Sequence, residues 1–370
     1  MSTIDRLKTQ MAAHDLDGLV AFSPENVTYL TGYLVPSHPT NRARRTITVL
    51  TSDGVAVLIV VSVEEDQARR MSAVKDVRSY NQFSEHPIDI LGAVLGELRV
   101  DRGRLGIELD YMPASDYVLL SKYLPADKMV PNRELYLAAR MVKSESEIAV
   151  LRRIATISDS AQAAAWNAIA PGMSEKELSA FVTNEVLSSG GDSLRLLIGG
   201  GERSGLVNPR PSDRRIVSGD VLRLEVLANL DNYQSNVTRT GIIGRAEASH
   251  EKIWSTLIEA RRAALDLLAP GRPVRDLWTA YERGCRHGDV MPTLQFLGHG
   301  IGLSGHEEPY ITADSELVLE PGVVLTFEPF VMFPDLMGFH IEDMFLVTPS
   351  GYEILTTATD NGRLIEVASA

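Results

Sequence analysis

Four stretches of the chain place ionisable side chains inside apolar runs or glycine turns. Glu225 sits in Val-Leu-Arg-Leu-Glu-Val-Leu-Ala, Glu328 in Val-Leu-Thr-Phe-Glu-Pro-Phe-Val, and Glu342 in Gly-Phe-His-Ile-Glu-Asp-Met-Phe-Leu-Val. His299 lies in Gly-His-Gly-Ile-Gly-Leu, with glycine on either side. A buried carboxylate costs several kcal/mol unless it is paired, protonated or bound to a metal ion. Any one of the Glu residues can instead lie on the wet face of an antiparallel strand, and a lone His between glycines can be structural. All four follow Gly219, which argues against four independent accidents. Carboxylates with separated pKa values beside a His suit general acid–base hydrolysis.

Hairpin geometry adds a fifth residue. A loop of about four residues centred between Leu230 and Asp231 sets Glu225 directly opposite Asn236, with Cβ atoms about 5 Å apart. The two then form one polar patch. A one-residue slip would send them to opposite faces.

The elements that position these residues follow from periodicity. Apolar residues at Ile4, Leu7, Met11 and Ala12 predict an N-terminal helix. Short strands are expected at Leu19 to Phe22, Arg104 to Glu108 and Met129 to Val130. Thr46 to Leu50 and Val55 to Val63 flank Asp53-Gly54, a hairpin signal. These segments predict a small α/β domain over residues 1–135. A second domain is expected over residues 140–370. It opens on a long helix to about Ala170, whose Ser144 and Glu147 are spaced as a capping box. Ser174 and Glu177 repeat that spacing before another helix. Strands at Val221 to Ala228 and Gln234 to Ile243 come next, then helices at His250 to Leu268 and Val274 to Arg286, then glycine-rich turns and strands.

Composition bounds the partners. The chain has 370 residues, 44% of them apolar, with 36 Lys and Arg against 49 Asp and Glu, a net charge of −13. The acidic balance argues against a nucleic-acid partner. Apolar runs are far shorter than the ~20 residues a membrane span needs, and the N-terminus lacks a signal-peptide pattern. One cysteine, Cys285, excludes an internal disulfide framework and a multi-Cys zinc site. The expectation is a cytoplasmic protein acting on a small molecule.

In order along the chain, Gly219-Asp220, Ser235-Asn236-Val237-Thr238-Arg239-Thr240, His299-Gly-Ile-Gly-Leu with His306-Glu-Glu-Pro309, Thr326-Phe327-Glu328-Pro329 and His340-Ile341-Glu342-Asp343 resemble the creatinase/prolidase/aminopeptidase P family. Ser23 to Gly32 and Arg140 to Ile148 extend the resemblance over nearly the whole chain. It implies an α+β protein: a C-terminal pita-bread domain preceded by a smaller α/β creatinase-type N-terminal domain.

The family's peptidases bind two divalent metal ions through Asp, Asp, His, Glu and Glu. The matching positions here are Glu225, Asn236, His299, Glu328 and Glu342. The last three agree with the pattern. The first is lengthened by a methylene, and the second has lost its charge. Asn offers one neutral oxygen and cannot bridge two cations. The family Arg before the last Glu is His340, and Val207 stands where a loop His belongs. Creatinase keeps the fold and works without metal. The resemblance therefore leads to an expectation of no cofactor and a metal-independent hydrolase of a C–N bond, amide or amidine-type, in a small charged substrate. His299, Glu328 and Glu342 would be catalytic. Glu225, Asn236, His306, Tyr233, His340 and Arg42 would bind substrate, Arg42 from a partner subunit in a homodimer. The alternative is an Xaa-Pro dipeptidase or aminopeptidase-like enzyme with an altered site, holding one Mn, Co or Zn ion through Glu225, Asn236, His299, Glu328 and Glu342. A third reading is a non-catalytic binding protein on the peptidase scaffold. Metal analysis separates the first two, and an activity screen with a His299→Ala control tests the third.

Overall fold

A computed structural model describes residues 2–41 and 43–368. The chain divides into two compact units, Met1–Arg140 and Met141–Ala370.

The first unit is built on a six-stranded mixed sheet. Its strands run Asp76–Tyr80, Ala56–Val61, Ile47–Thr51, Gly18–Ala21, Leu105–Ile107 and Met129–Pro131 in spatial order. The central strands are buried on both faces, so they read as continuous apolar runs rather than alternating ones. The helix Arg133–Met141 belongs to this unit. Tyr29 Oη donates to Ala139 O at 2.8 Å, and Arg140 Nη1 donates to Asn26 Oδ1 at 2.8 Å.

The second unit opens on the helix Glu145–Ala168, where Ser144 and Glu147 form the expected capping box. The same box forms at Ser174 and Glu177 before the helix Glu175–Ser188. These helices cover one face of a sheet in which Val221–Leu230 is flanked by Ser193–Gly200 and Val237–Ile243. Leu222, Leu224 and Val226 pack against Ile154, Ala161, Leu178 and Val182 on the helix side. Strand alternation therefore turns Arg223 and Glu225 to the other side. A second helix pair, Ala248–Leu265 and Val274–His287, backs the strands Val324–Phe327 and Asp343–Thr348 through Leu257, Leu277, Tyr281, Leu325, Phe327 and Phe345. The 221–230 strand and the 324–327 and 343–348 strands thus belong to two helix-backed sheets, as in the expected pita-bread fold.

The hairpin register differs from the expected one. Leu230 pairs with Tyr233 around a two-residue turn, Asp231-Asn232, both at positive φ (50° and 70°). Asp and Asn tolerate that conformation, and such a turn matches the strand twist. The centre therefore lies one residue later than the four-residue loop assumed. Glu225 pairs with Thr238, not Asn236. Asn236 falls between the Ser235–Ala228 hydrogen bond and the Val237–Val226 pair, which sets it against Leu227. The slip is two residues, so face is conserved, and Asn236 and Glu225 are diagonal neighbours. Ser235 turns to the helix side, its hydroxyl 2.6 Å from Ser158 Oγ.

Candidate active site

The three expected catalytic side chains meet in the second unit. His299 and Glu342 are fully buried, and Glu225, Glu328 and His340 nearly so. The wet-face reading of each Glu therefore fails.

Glycine makes the His299 turn possible. A Cβ on Gly298 would lie 1.9 Å from Thr326 O, and one on Gly300 2.2 Å from Glu308 O. The backbone can then run close beside the 324–327 strand: Thr326 N donates to His299 O and Glu328 N to Leu297 O, each at 2.7 Å. This pairing holds His299 and Glu328 side by side.

Glu342 is fixed from another direction. Thr238 and Glu342 exchange backbone hydrogen bonds both ways, Thr238 N to Glu342 O at 3.2 Å and Glu342 N to Thr238 O at 3.0 Å. Thr238 Oγ1 donates to Glu342 Oε2 at 3.1 Å, and Arg239 Nη1 to Glu342 O at 2.7 Å. Glu225 pairs with Thr238, so this one residue joins both carboxylate-bearing strands.

The tautomer of His299 follows from one contact. Its Nδ1 is 2.8 Å from Gly300 O, and a carbonyl can only accept, so Nδ1 carries the proton. In the neutral ring Nε2 is then a bare lone pair. It faces Glu328 Oε1 at 3.0 Å and Glu342 Oε1 at 3.8 Å. All three atoms are buried and lack a hydrogen-bond partner. Three acceptors aimed at one another repel unless a cation or a proton on one carboxylate lies among them. His340 Nε2 faces Glu328 Oε2 at 3.6 Å, and its Nδ1 faces Glu225 Oε2 at 3.7 Å.

The electrostatics split the carboxylates. Burial pushes Glu342 well above the ordinary range, and Glu328 and Glu225 push it the same way. Burial also raises Glu225, against the pull of His340 and Arg223. Burial acts on Glu328 too; hydrogen bonds and positive charge from His299 and His340 would outweigh it only with those rings protonated, and the neutral His299 ring does not supply them.

The remaining expected residues are less uniform. The His306 ring is exposed and stacks on His299, centroids 3.6 Å apart. His299, His306 and Glu328 form one group able to hold a metal ion, and Glu328, His340 and Glu342 another. Asn236 is buried with Oδ1 unpartnered. The Tyr233 hydroxyl instead donates to Glu147 Oε1 at 3.0 Å, at the start of the 145–168 helix. Arg42 lies outside the described residues. Val207 is exposed, and its carbonyl accepts from Arg223 Nη2 at 2.7 Å. Sequence reasoning passed over Arg223, a fully buried cation facing Glu225, Glu328 and Glu342. The signal was its position, two residues before Glu225 on the same face.

Residues 149–349 match metallopeptidase family M24, and residues 3–142 match the creatinase/prolidase N-terminal domain. The chain belongs to metallopeptidase family M24. It is 28% identical over 360 residues to an Xaa-Pro dipeptidase of Pyrococcus furiosus, covering 95% of this chain and 97% of that one. Among solved structures it superposes on an Xaa-Pro dipeptidase from Bacillus anthracis with a TM-score of 0.84 at 26% identity, covering 99% of both chains. The prolidase from Pyrococcus horikoshii gives 0.83 at 26% identity, covering 96% of this chain and 98% of that one. The resemblance read from the motifs, and the two-domain α+β fold it implied, hold.

Membership in M24 makes the chain a hydrolase of a peptidase family. It also overturns the expectation of no cofactor, since the family is one of metallopeptidases and the buried His and Glu groups of this chain can hold a divalent ion. The substitutions at Glu225 and Asn236 misled because the sequence does not show that His299 Nε2, Glu328 Oε1 and Glu342 Oε1 come together buried and without hydrogen-bond partners. Among the described residues no helix is long and apolar enough to cross a membrane.

Proposed function

We propose that this M24 hydrolase is an Xaa-Pro dipeptidase with an altered metal centre. The observation that carries the reading is the convergence of three unpartnered buried acceptors, His299 Nε2, Glu328 Oε1 and Glu342 Oε1. A divalent ion satisfies all three at once. The names of the relatives support the peptide class and the preference for proline. His299, Glu328 and Glu342 would hold the ion, which when bound polarises a carbonyl and lowers the pKa of water.

The chain's own groups supply the rest. Glu328 has a second carboxylate oxygen and would be placed to take a proton from the attacking water. His306, exposed over the ring of His299, is placed to touch the bound peptide. Arg223, buried beside the carboxylates, offsets part of their mutual repulsion.

The test is a peptidase assay on protein stripped of metal and reloaded with Mn, Co or Zn. Xaa-Pro dipeptides should be cleaved faster than dipeptides lacking proline, and chelation should abolish the activity. Cleavage indifferent to chelator, or none with any of the three metals, overturns the reading.

A further inference from the structure

The buried charges of the second unit sort into pairs and leave a remainder. Among the described residues its buried Lys and Arg side chains are Lys143, Arg223, Arg239 and Arg261. Lys143 meets Glu307, while Arg239 and Arg261 meet Asp159 and Asp343. Of the other buried carboxylates, Glu175 is held by Arg203 and Asp220 by Arg214. Glu225, Glu328 and Glu342 are left, and Arg223 is the buried cation left to answer them.

Register places Arg223 among these carboxylates. It pairs with Gly199 on one side and Thr240 on the other, two residues before Glu225 in the same strand. Leu222 and Leu224 pack on the helix side, so Arg223 and Glu225 share the opposite face. Thr240 Oγ1 donates to His340 O at 2.7 Å and accepts from His340 N at 3.0 Å, which ties this row to the segment leading into Glu342. The guanidinium lies 4.8 Å from the centroid of the Phe330 ring, two residues after Glu328. Arg223 Nη2 donates to Leu206 O at 2.5 Å and to Val207 O at 2.7 Å. Nε and Nη1 are buried with no hydrogen-bond partner. A guanidinium cannot shed its proton, and a buried charge is costly without compensation. Arg223 therefore acts through space on the three carboxylates as a group, Glu225 first.

The balance limits what else can enter. Three ionised carboxylates against one guanidinium leave two negative charges, and one divalent ion cancels them. Asn236 adds no charge, and His299 is neutral when its Nε2 holds an ion. A second divalent ion would leave the buried centre with two uncompensated positive charges. A proton on His340 would disfavour that ion further. We infer that the Arg223 guanidinium takes the place of a second metal ion in the charge balance and restricts this centre to one. The inference rests on the metallopeptidase reading and sets the number of ions in it.

A merely structural Arg223, needed to tie down the carbonyls of Leu206 and Val207, predicts the opposite sign. Loosening that tie leaves metal binding unchanged or weaker, whereas removing a like charge tightens it. Stripped protein is titrated with Zn and with Mn by calorimetry, and bound metal is counted by elemental analysis. The native chain should bind one equivalent. Arg223→Met should bind the first ion at least about 10-fold more tightly or take up a second equivalent, and added Zn should raise its melting temperature more than that of the native chain. Arg223→Gln, which removes the charge and keeps a donor for the carbonyls, serves as the second variant and should behave alike. Arg223→Lys, which keeps the charge and loses the forked contact, should stay near native affinity and stoichiometry. Two tightly bound equivalents in the native chain, or binding no tighter in both neutral variants, overturns the inference while leaving a peptidase that needs metal intact. One equivalent and tighter neutral variants without Xaa-Pro cleavage would uphold Arg223 and sink the substrate reading alone. A native chain that takes up neither metal sinks both.

Discussion

Arg239 and Asp343 are joined directly behind the site, Nη2 to Oδ1 at 2.8 Å, with each side chain essentially inaccessible to water. The same guanidinium holds Asp159 at 2.8 Å and the Glu342 carbonyl at 2.7 Å. Arg261, Thr356 and Asn361 also donate to Asp343.

Arg239→Met should therefore destabilise the chain by roughly 3–5 kcal/mol, because two buried carboxylates lose their shared partner. Urea denaturation checks the loss. Metal affinity should fall as well, since Glu342 loses one of the bonds that fix its backbone. A shift within 1 kcal/mol would mean that Asp159 and Asp343 find other partners.

The first unit should weaken in mild acid through His38. Burial holds this ring down to about 4, against an ordinary 6.5, while its Nε2 bonds Phe22 O at 2.7 Å. The unfolded chain takes up a proton near 6.5 and the folded one only near 4, so acid in that window favours unfolding. The stabilisation is complete above pH 6.5, falls through the window and levels off below about 4. The full difference is about 3 kcal/mol. All three tryptophans, Trp166, Trp254 and Trp278, lie in the second unit, so far-UV circular dichroism is the better signal. His38→Gln should flatten the slope between pH 6.5 and 4.

Restoring the two Asp residues of the family pattern should enlarge the metal centre. In the double variant Glu225→Asp, Asn236→Asp, the added charge sits beside a shortened neighbour, and each anionic oxygen near a divalent ion is strongly favourable. Bound Mn or Co should rise above one equivalent by elemental analysis. A stoichiometry equal to that of the native chain would count against Asn236 as the residue that limits it.

Gly298→Ala should displace His299 from Glu328. The new methyl would meet Thr326 O at 1.9 Å, and that oxygen belongs to backbone. The cost should be in the upper part of the range for overpacking, roughly 1–3 kcal/mol or more. Melting temperature and metal titration read the two consequences separately.

His299, Glu328 and Glu342 stood out in the sequence because ionisable groups in apolar or glycine-rich runs are costly without a purpose. Helix starts at Ser144 and Ser174 were equally plain, since a capping box is local. The Glu225–Asn236 pairing was misjudged by two residues, because Asp231 and Asn232 both adopt positive φ and close the turn later than a four-residue loop would. Local pattern could not reveal the Arg239 network, whose partners lie 80 and 104 residues away. Lys143 and Glu307, buried and 2.6 Å apart across 164 positions, escaped notice for the same reason. Partners this remote are chosen by the packing of two sheets, and nothing in either neighbourhood advertises them.

The reciprocal backbone bonds between Thr238 and Glu342 bear on how the site ages in solvent. Both amide hydrogens belong to residues buried from water. They can exchange with deuterium only when the second unit opens as a whole, so their exchange rates should track its global unfolding rather than local fraying. The floor of the centre is in this sense as durable as the fold itself, while the exposed His306 above it exchanges its surroundings freely with water.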